Sequence, residues 1–214
     1  MDVLIFIIGV AGFAMAIILH EISHGFVAEK LGDPTARLLG RLTLNPLKHI
    51  DIFGTLVLPL TLIVLRSPFV FGWAKPVPID PYNLKNPKKD LALIALAGPL
   101  TNVAFAIILS IFLRILLAVF PDFSTITLFT YLIQFNVVLA VFNLLPIHPL
   151  DGGKILAGLL PQKDVLSFNR FMDRFGIILI FILIFPSFGG SSLLGMVTGP
   201  IINFLLKLLI PGYI

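Results

Sequence analysis

The chain of 214 residues contains no cysteine. This absence excludes disulfide bonds, thiolate metal sites and a cysteine nucleophile. A transition metal in this protein would therefore have to be bound by histidine, aspartate or glutamate side chains.

Charged residues are also scarce. Only 12% of the residues are charged, against about 25% in a typical soluble domain, while 58% are hydrophobic and the mean hydropathy is +1.06. The apolar residues form long blocks rather than alternating with polar ones, which predicts an integral membrane protein in a lipid bilayer. The net charge is +4. Cytoplasmic loops of membrane proteins retain lysine and arginine, which accounts for this positive charge, so we expect no nucleic-acid partner.

The apolar blocks predict the membrane topology. They cover approximately residues 3–27, 52–65, 91–120, 128–145, 171–185 and 193–210. A spanning helix needs about 20 residues, and block 52–65 is short with basic segments on both sides, so we expect it to be re-entrant or embedded. The other blocks predict about five transmembrane helices. The distribution of lysine and arginine places the N-terminus outside and the C-terminus in the cytoplasm.

The expected fold class is an all-α polytopic membrane protein with a single membrane-embedded domain over residues 1–214. One segment looks different from the helices. Between Arg37 and Thr43, β-forming residues and Gly40 lie between turn signals. This pattern predicts a short membrane-associated β-hairpin near 35–45.

The segment from His20 to His24 has the sequence HEISH. On a helix, residues i and i+4 share a face, so both imidazoles can bind one metal ion. Glu21 lies beside that face, where it can accept a proton from metal-bound water. A chance match at a polar helix end is the alternative, but three ionisable groups within an apolar span are costly unless they have a partner or a function.

A catalytic zinc site usually has three protein ligands and a water molecule. Asp151 is the best third candidate, because it follows an apolar span and lies between Pro149 and two glycines. A helix N-cap is an equally good interpretation of the local sequence. Topology favours the metal, since His20 and Asp151 both lie toward the inner ends of inward-running spans.

In five segments the chain resembles the site-2 protease family of zinc intramembrane metalloproteases, peptidase family M50. The segments are HEISH at 20–24, GRLTLNPLKHID at 40–51, GWAKPVP at 72–78, AGPLTN at 97–102 and NLLPIHPLDGG at 143–153. Their order along the chain makes the resemblance specific. The expected protein is a minimal form of the family without PDZ or CBS domains.

The resemblance implies that His20, His24 and Asp151 bind one zinc ion and that Glu21 is the general base. It also implies that Asn143 acts near the scissile carbonyl, either holding the substrate strand or stabilising the oxyanion; a hydrogen bond between helices is the alternative for this residue. The implied activity is cleavage of transmembrane or membrane-adjacent segments of substrate proteins, as in regulated intramembrane proteolysis. The expected location is a prokaryotic cell membrane, with the active site toward the cytoplasm.

Two other functions compete with proteolysis. A catalytically silent membrane scaffold could bind transmembrane segments without cutting them, but such a protein would not need Glu21. A metal transporter would be expected to carry paired acidic residues on facing spans, and none is evident. Two further histidines have open roles: we expect a structural hydrogen bond to backbone for His49 and a positional role near the site for His148.

Overall fold

The computed structural model describes residues 3–66, 72–119, 123–184 and 192–213, and within these ranges the chain forms helices and no β-strand. There are eight α-helices among the described residues: α1 Val3–Lys30, α2 Thr35–Leu38, α3 Leu58–Val64, α4 Pro87–Val119, α5 Phe123–Asn143, α6 Asp151–Leu159, α7 Gln162–Ile184 and α8 Leu193–Leu209. Short 3-10 turns occur at Pro46–Lys48 and Pro81–Asn83, and a π-helix, Ile52–Val57, leads into α3.

Three of the described helical segments are long and apolar enough to cross a membrane, namely Ile7–Lys30, Pro87–Val119 and Ile126–Asn143. They confirm the prediction of a membrane protein. The expected number of five spans is not reached within the described ranges. Helix α8 has only 17 residues, and the first half of α7 is charged, so neither meets the requirement of about 20 predominantly apolar residues.

The predicted β-hairpin near 35–45 is wrong. Residues 35–38 form helix α2, and the turn that follows is also closed locally, with Gly40 N–H donating to the Arg37 carbonyl and Arg41 N–H donating to the Ala36 carbonyl, each at 2.9 Å. The Arg41 guanidinium donates to the Lys75 carbonyl at 2.9 Å. Local turns and a side chain therefore make the hydrogen bonds that a strand ladder would otherwise have made.

The segment expected to be re-entrant or embedded begins with the π-helix and continues through α3. The Asp51 carboxylate accepts a hydrogen bond from Gly54 N–H at 2.7 Å, which caps the start of the segment. Trp73 N–H donates to the Gly54 carbonyl at 3.1 Å, and the Thr55 hydroxyl donates to the Trp73 carbonyl at 2.8 Å. The backbone at Trp73 therefore lies beside Gly54 and Thr55, at the start of this segment.

Helix α4 is the central helix of the fold and packs against α1, α5 and α6. Its C-terminal half contributes to an apolar core with α5 and α8, in which Leu113, Ile133 and Leu206 are almost fully buried. Its N-terminal half contacts α1 and α6, which carry the HEISH segment and Asp151. Because one helix contacts both, it fixes the relative position of residues that are far apart in sequence.

Candidate metal centre

His20 and His24 lie one turn apart on α1, as the i, i+4 spacing predicts. Each side chain is only 8% exposed. The two imidazole rings meet edge to face, with centroids 4.7 Å apart and an interplanar angle of 90°. Two buried imidazoles with converging ring nitrogens form half of a typical zinc ligand set.

Asp151 is the first residue of α6 and is 5% exposed. Its Oδ2 atom lies 3.0 Å from Nε2 of His20 and 3.1 Å from Nε2 of His24. The N-cap position of α6 is occupied by Leu150, without a side-chain capping bond. The carboxylate of Asp151 is therefore directed at the two histidines, and the capping interpretation does not apply.

The donor set fits zinc in both chemistry and spacing. Zinc–nitrogen and zinc–oxygen bonds of about 2.0–2.1 Å at tetrahedral angles place neighbouring donors about 3.3 Å apart. The measured separations of 3.0 and 3.1 Å between Oδ2 and the two Nε2 atoms are close to this value.

Helix α4 supplies hydrogen-bond partners for the far side of both rings. Nδ1 of His20 lies 2.6 Å from Oδ1 of Asn102, and Nδ1 of His24 lies 2.7 Å from the Ile94 carbonyl. A carbonyl can only accept, so Nδ1 of His24 carries the proton. The Asn102 amide nitrogen donates to the Ala16 carbonyl and to Asn136, so its oxygen faces His20. Both imidazoles thus direct an unprotonated Nε2 at the centre.

Gly98 lies on the same face of α4 and allows it to approach the two rings. A Cβ atom added there would lie 2.5 Å from Nε2 of His20 and 2.6 Å from Cε1 of His24. A side chain of any size would therefore occupy the space that the imidazoles fill. Because Ile94, Gly98 and Asn102 follow each other at intervals of four residues, one face of α4 backs the whole metal centre.

Glu21 lies beside the two histidines and is partly buried. One of its carboxylate oxygens and one ring nitrogen of each histidine all lie within 4.8 Å of one another. Oε2 accepts a hydrogen bond from Val77 N–H at 2.9 Å, which orients the carboxylate. Glu21 is thus close enough to be a ligand, although Oδ2 of Asp151 lies nearer to the two histidines, at 3.0 and 3.1 Å.

The charge state of Asp151 suits a ligand. Burial raises the pKa of this carboxyl, but the neighbouring side chains of His20 and His24 lower it more, and the Lys154 ammonium 3.7 Å from Oδ1 acts in the same direction. The net result is a pKa well below the usual range for aspartate. Asp151 is therefore ionised at neutral pH and can bind a cation.

The remaining candidates lie apart from these contacts. The Asn143 amide donates to the Leu139 carbonyl of its own helix at 3.0 Å, rather than to the metal centre or another helix. Nε2 of His49 lies 2.9 Å from the Thr43 carbonyl, the backbone hydrogen bond expected for it. Nδ1 of His148 lies 3.8 Å from the exposed carboxylate of Asp173 on α7.

The sequence analysis did not predict the part played by Asn102. This side chain is 1% exposed and connects His20 to Asn136, which is fully buried on α5. The signal that could have been used is the interval of four residues from Gly98 to Asn102, which places a small and a polar residue on one helix face.

Comparison with known proteins now adds to this geometry. The family model described as Peptidase family M50 matches residues 118–183, which include Asn143 and Asp151. The "Putative zinc metalloprotease YwhC" of Bacillus subtilis (strain 168) is 39% identical over 183 residues, covering 82% of this chain and 78% of the relative. The chain belongs to peptidase family M50. It is thus a metalloprotease, and its apolar helices make it a membrane protein.

Two further relatives cover less of their own length. The "Putative zinc metalloprotease Rip2" of Mycolicibacterium smegmatis (strain ATCC 700084 / mc(2)155) is 36% identical over 152 residues, which are 69% of this chain and 55% of the relative. The "Zinc metalloprotease MJ0392" of Methanocaldococcus jannaschii (strain ATCC 43067 / DSM 2661 / JAL-1 / JCM 10045 / NBRC 100440) is 28% identical over 152 residues, or 70% of this chain and 33% of the relative. No solved structure matches the chain.

Proposed function

We propose that this M50 protein is a zinc-dependent intramembrane endopeptidase that cleaves transmembrane or membrane-adjacent segments of other membrane proteins. One observation carries the proposal. The buried Nε2 atoms of His20 and His24 lie 3.0 and 3.1 Å from Oδ2 of Asp151. Both histidines are on α1, which is apolar enough to cross a membrane. A hydrolytic centre at this depth can act on substrates that are themselves within the bilayer.

In this proposal His20, His24 and Asp151 hold one zinc ion. When bound, zinc supplies Lewis acidity, which polarises the scissile carbonyl and lowers the pKa of water. The relatives named as zinc metalloproteases support the choice of metal. The hydrogen bonds from Nδ1 of each histidine to α4 hold the rings in the tautomer that can bind a cation.

Glu21 is the proposed general base and, later, the general acid. Its carboxylate accepts a proton from the attacking water and returns it to the leaving amine. The bond from Val77 N–H to Oε2 orients the carboxylate for this transfer without neutralising it. A fixed orientation matters because the carboxylate must lie within hydrogen-bond distance of the water that gives the proton and of the amine that receives it.

Asn143 is proposed to donate from its amide to the substrate, holding the strand or stabilising the oxyanion. In this structure its Nδ2 donates to the Leu139 carbonyl, four residues earlier in α5. The side chain must therefore exchange that hydrogen bond for one to substrate. The cost is modest, since a net hydrogen bond contributes about 1 kcal/mol.

The proposed orientation places the catalytic end of α1 toward the cytoplasm of a prokaryotic cell. Lys30 ends α1, and Arg37, Arg41 and Lys48 follow it, which the positive-inside rule assigns to the cytoplasmic side. The N-terminus would then be outside and the C-terminus inside. Relatives from a bacterium and an archaeon support the prokaryotic location.

The test compares two identical changes on the same helix, in purified protein reconstituted with a membrane-protein substrate. Glu21→Gln should lower the cleavage rate by at least about 100-fold, the lower bound for general acid–base catalysis, with one zinc ion retained per chain. Glu29→Gln is the matched control, because Glu29 pairs with Arg37 away from the metal centre. Its cleavage and zinc content should be those of the wild type.

The same measurements separate the competing functions. Cleavage at the wild-type rate by Glu21→Gln would refute the mechanism. If the wild-type protein retains one zinc ion and binds the substrate segment without cutting it, the protein is a silent scaffold. If zinc crosses reconstituted vesicles without any proteolysis, the protein is a transporter.

A further inference from the structure

A cavity of about 480 Å³ lies outside the metal centre, between the turns at 39–50 and the segment at 75–78. Three of its lining residues are cationic and none is acidic; the full lining is Arg41, Lys48 and Lys75 with Leu39, Leu47, Ile50 and Pro78. A cavity with charge of one sign concentrates ions of the other. The ligand expected here is therefore an anion.

Arg41 gives the stronger argument for an anion, because its guanidinium is buried and no carboxylate among the described residues pairs with it. Arg41 is 8% exposed, and its Nη2 atom donates to the Lys75 carbonyl at 2.9 Å. Its Nε atom is buried and has no hydrogen-bond partner. The ion pairs among the described residues all involve other groups. A buried charge with neither carboxylate nor full hydrogen bonding is costly, and an anion in the adjoining cavity would compensate it.

We propose that this cavity binds the phosphate group of an anionic phospholipid. A guanidinium flanked by two ammonium groups suits phosphate, with the planar fork giving direction and the lysines giving charge. The apolar lining favours a lipid over free phosphate, since Leu39 and Leu47 are 61% and 73% exposed at the same cavity. In the proposed orientation this face meets the cytoplasmic leaflet, whose anionic lipids attract basic segments.

The cavity is connected to the metal centre by a short stretch of chain. Arg41 holds the Lys75 carbonyl, and two residues later Val77 N–H holds the Glu21 carboxylate. A phosphate on Arg41 and Lys75 would stabilise the segment that orients Glu21. This consequence for catalysis rests on the proposed catalytic function, whereas the binding of lipid draws only on the proposed orientation.

Lipid binding can be measured on the full chain purified in an uncharged detergent. Phosphatidylglycerol should bind more tightly than phosphatidylcholine and should raise the thermal unfolding midpoint. Lys48→Gln and Lys75→Gln should each weaken phosphatidylglycerol binding about fivefold, as expected for one basic contact. Lys89→Gln is the matched control, since it removes the same charge from an exposed residue outside the cavity lining. Arg41→Gln should abolish the stabilisation by phosphatidylglycerol, whatever its own basal stability.

Three outcomes would overturn the proposal. The first is equal binding of phosphatidylglycerol and phosphatidylcholine by the wild-type protein. The second is an equal loss of binding in Lys89→Gln and Lys75→Gln, which would show general attraction rather than a site. The third is full stabilisation by inorganic phosphate with no preference for phosphatidylglycerol, which would reject the lipid. None depends on proteolysis, so a failure here is separate from a failure of the Glu21 experiment.

Discussion

Nδ1 of His20 lies 2.6 Å from Oδ1 of Asn102, and both side chains are buried. The bond makes Nδ1 the protonated ring nitrogen and leaves Nε2 to face Asp151. Asn102 is itself held by the Ala16 carbonyl and by Asn136. Two buried amides, on α4 and α5, and a backbone carbonyl of α1 therefore set the orientation of one imidazole, which makes Asn102 a positioning residue for the proposed zinc ligand.

Replacing Asn102 with leucine should lower zinc affinity by about 10–100-fold, the usual effect of losing such a partner. The physical reason is that Nδ1 of His20 loses its acceptor, so ring orientation and tautomer are no longer fixed. Zinc affinity can be measured by competition with a chelator of known affinity. Asn102→Asp should restore much of the affinity, because a carboxylate still accepts from Nδ1.

Ser110→Ala provides the control for Asn102. Ser110 is also buried on α4 and donates to the Leu209 carbonyl of α8, so its loss removes a buried hydrogen bond remote from His20. Zinc affinity should be unchanged in Ser110→Ala. Wild-type affinity in a folded Asn102→Leu protein would show that the amide does not position the ligand.

The histidine pair could be predicted because its geometry belongs to one helix. Residues i and i+4 share a face whatever else the helix contacts. The proximity of Asp151 to His20 could be inferred only from topology and family resemblance, because the two residues are 131 positions apart. Asn102 is different again. Its contact depends on which face of α4 meets α1, and hydrophobic periodicity is weak in a helix that is apolar on all sides.

The β-hairpin prediction failed for a related reason. Residues between Arg37 and Thr43 have strand propensity, but strand formation needs a partner ladder, and propensity alone does not supply one. Here the backbone N–H and carbonyl groups of α2 and the turn after it form hydrogen bonds with residues close in sequence. The Arg41 side chain then reaches the Lys75 carbonyl. This contact depends on the tertiary structure, so it cannot be predicted from the sequence of residues 37–43 alone.

Adding one methyl group at Gly98 should disrupt the metal centre. The Cβ of Gly98→Ala would lie within about 2.6 Å of ring atoms of both His20 and His24, closer than nonbonded atoms approach. The rings must move apart from each other or from α4, and either movement separates the proposed ligands. We expect loss of zinc from the purified protein and loss of cleavage, measured by metal analysis and a reconstituted assay.

Gly199→Ala is the matched control for this change. Gly199 also lies inside a helix, α8, but a Cβ there would meet nothing within 4 Å. The substitution should leave zinc content unchanged and raise helix stability by up to about 1 kcal/mol. Full zinc occupancy in Gly98→Ala would contradict the tight contact between α4 and the two rings.

Acid should weaken the junction that follows α1. Asp33 is fully buried and accepts hydrogen bonds from the Asp80 N–H at 2.7 Å, the Asn83 amide at 2.9 Å and both the N–H and hydroxyl of Thr35. Burial raises the pKa of its carboxyl, but these hydrogen bonds more than offset burial and lower it. Because the folded-state pKa is below that of the unfolded chain, the stabilisation is complete above about pH 4. It is lost as the pH falls through the folded-state value.

The check is a comparison of Asp33→Asn with the wild type from pH 6 to pH 2, both without zinc so that metal release does not contribute. At pH 6 the variant should be less stable by about 1–3 kcal/mol, the cost of unsatisfied buried donors. This difference should shrink as the pH falls below 4. Asp173→Asn is the matched control at pH 6, where removal of a carboxylate that is 72% exposed should change the stability little. A constant gap between Asp33→Asn and the wild type would rule out this assignment.

Removal of zinc should lower the thermal unfolding midpoint, because the proposed ligands lie on two helices, α1 and α6, that the ion would join. At a zinc concentration 1,000 times its dissociation constant, binding adds about 4 kcal/mol to the free energy of unfolding. Chelation should therefore destabilise the wild type, and Asp173→Asn equally. Asp151→Asn should show little further loss, since it lacks the ligand from α6. If chelation removed zinc from the wild type without moving its midpoint, His20, His24 and Asp151 would not be joined by the ion.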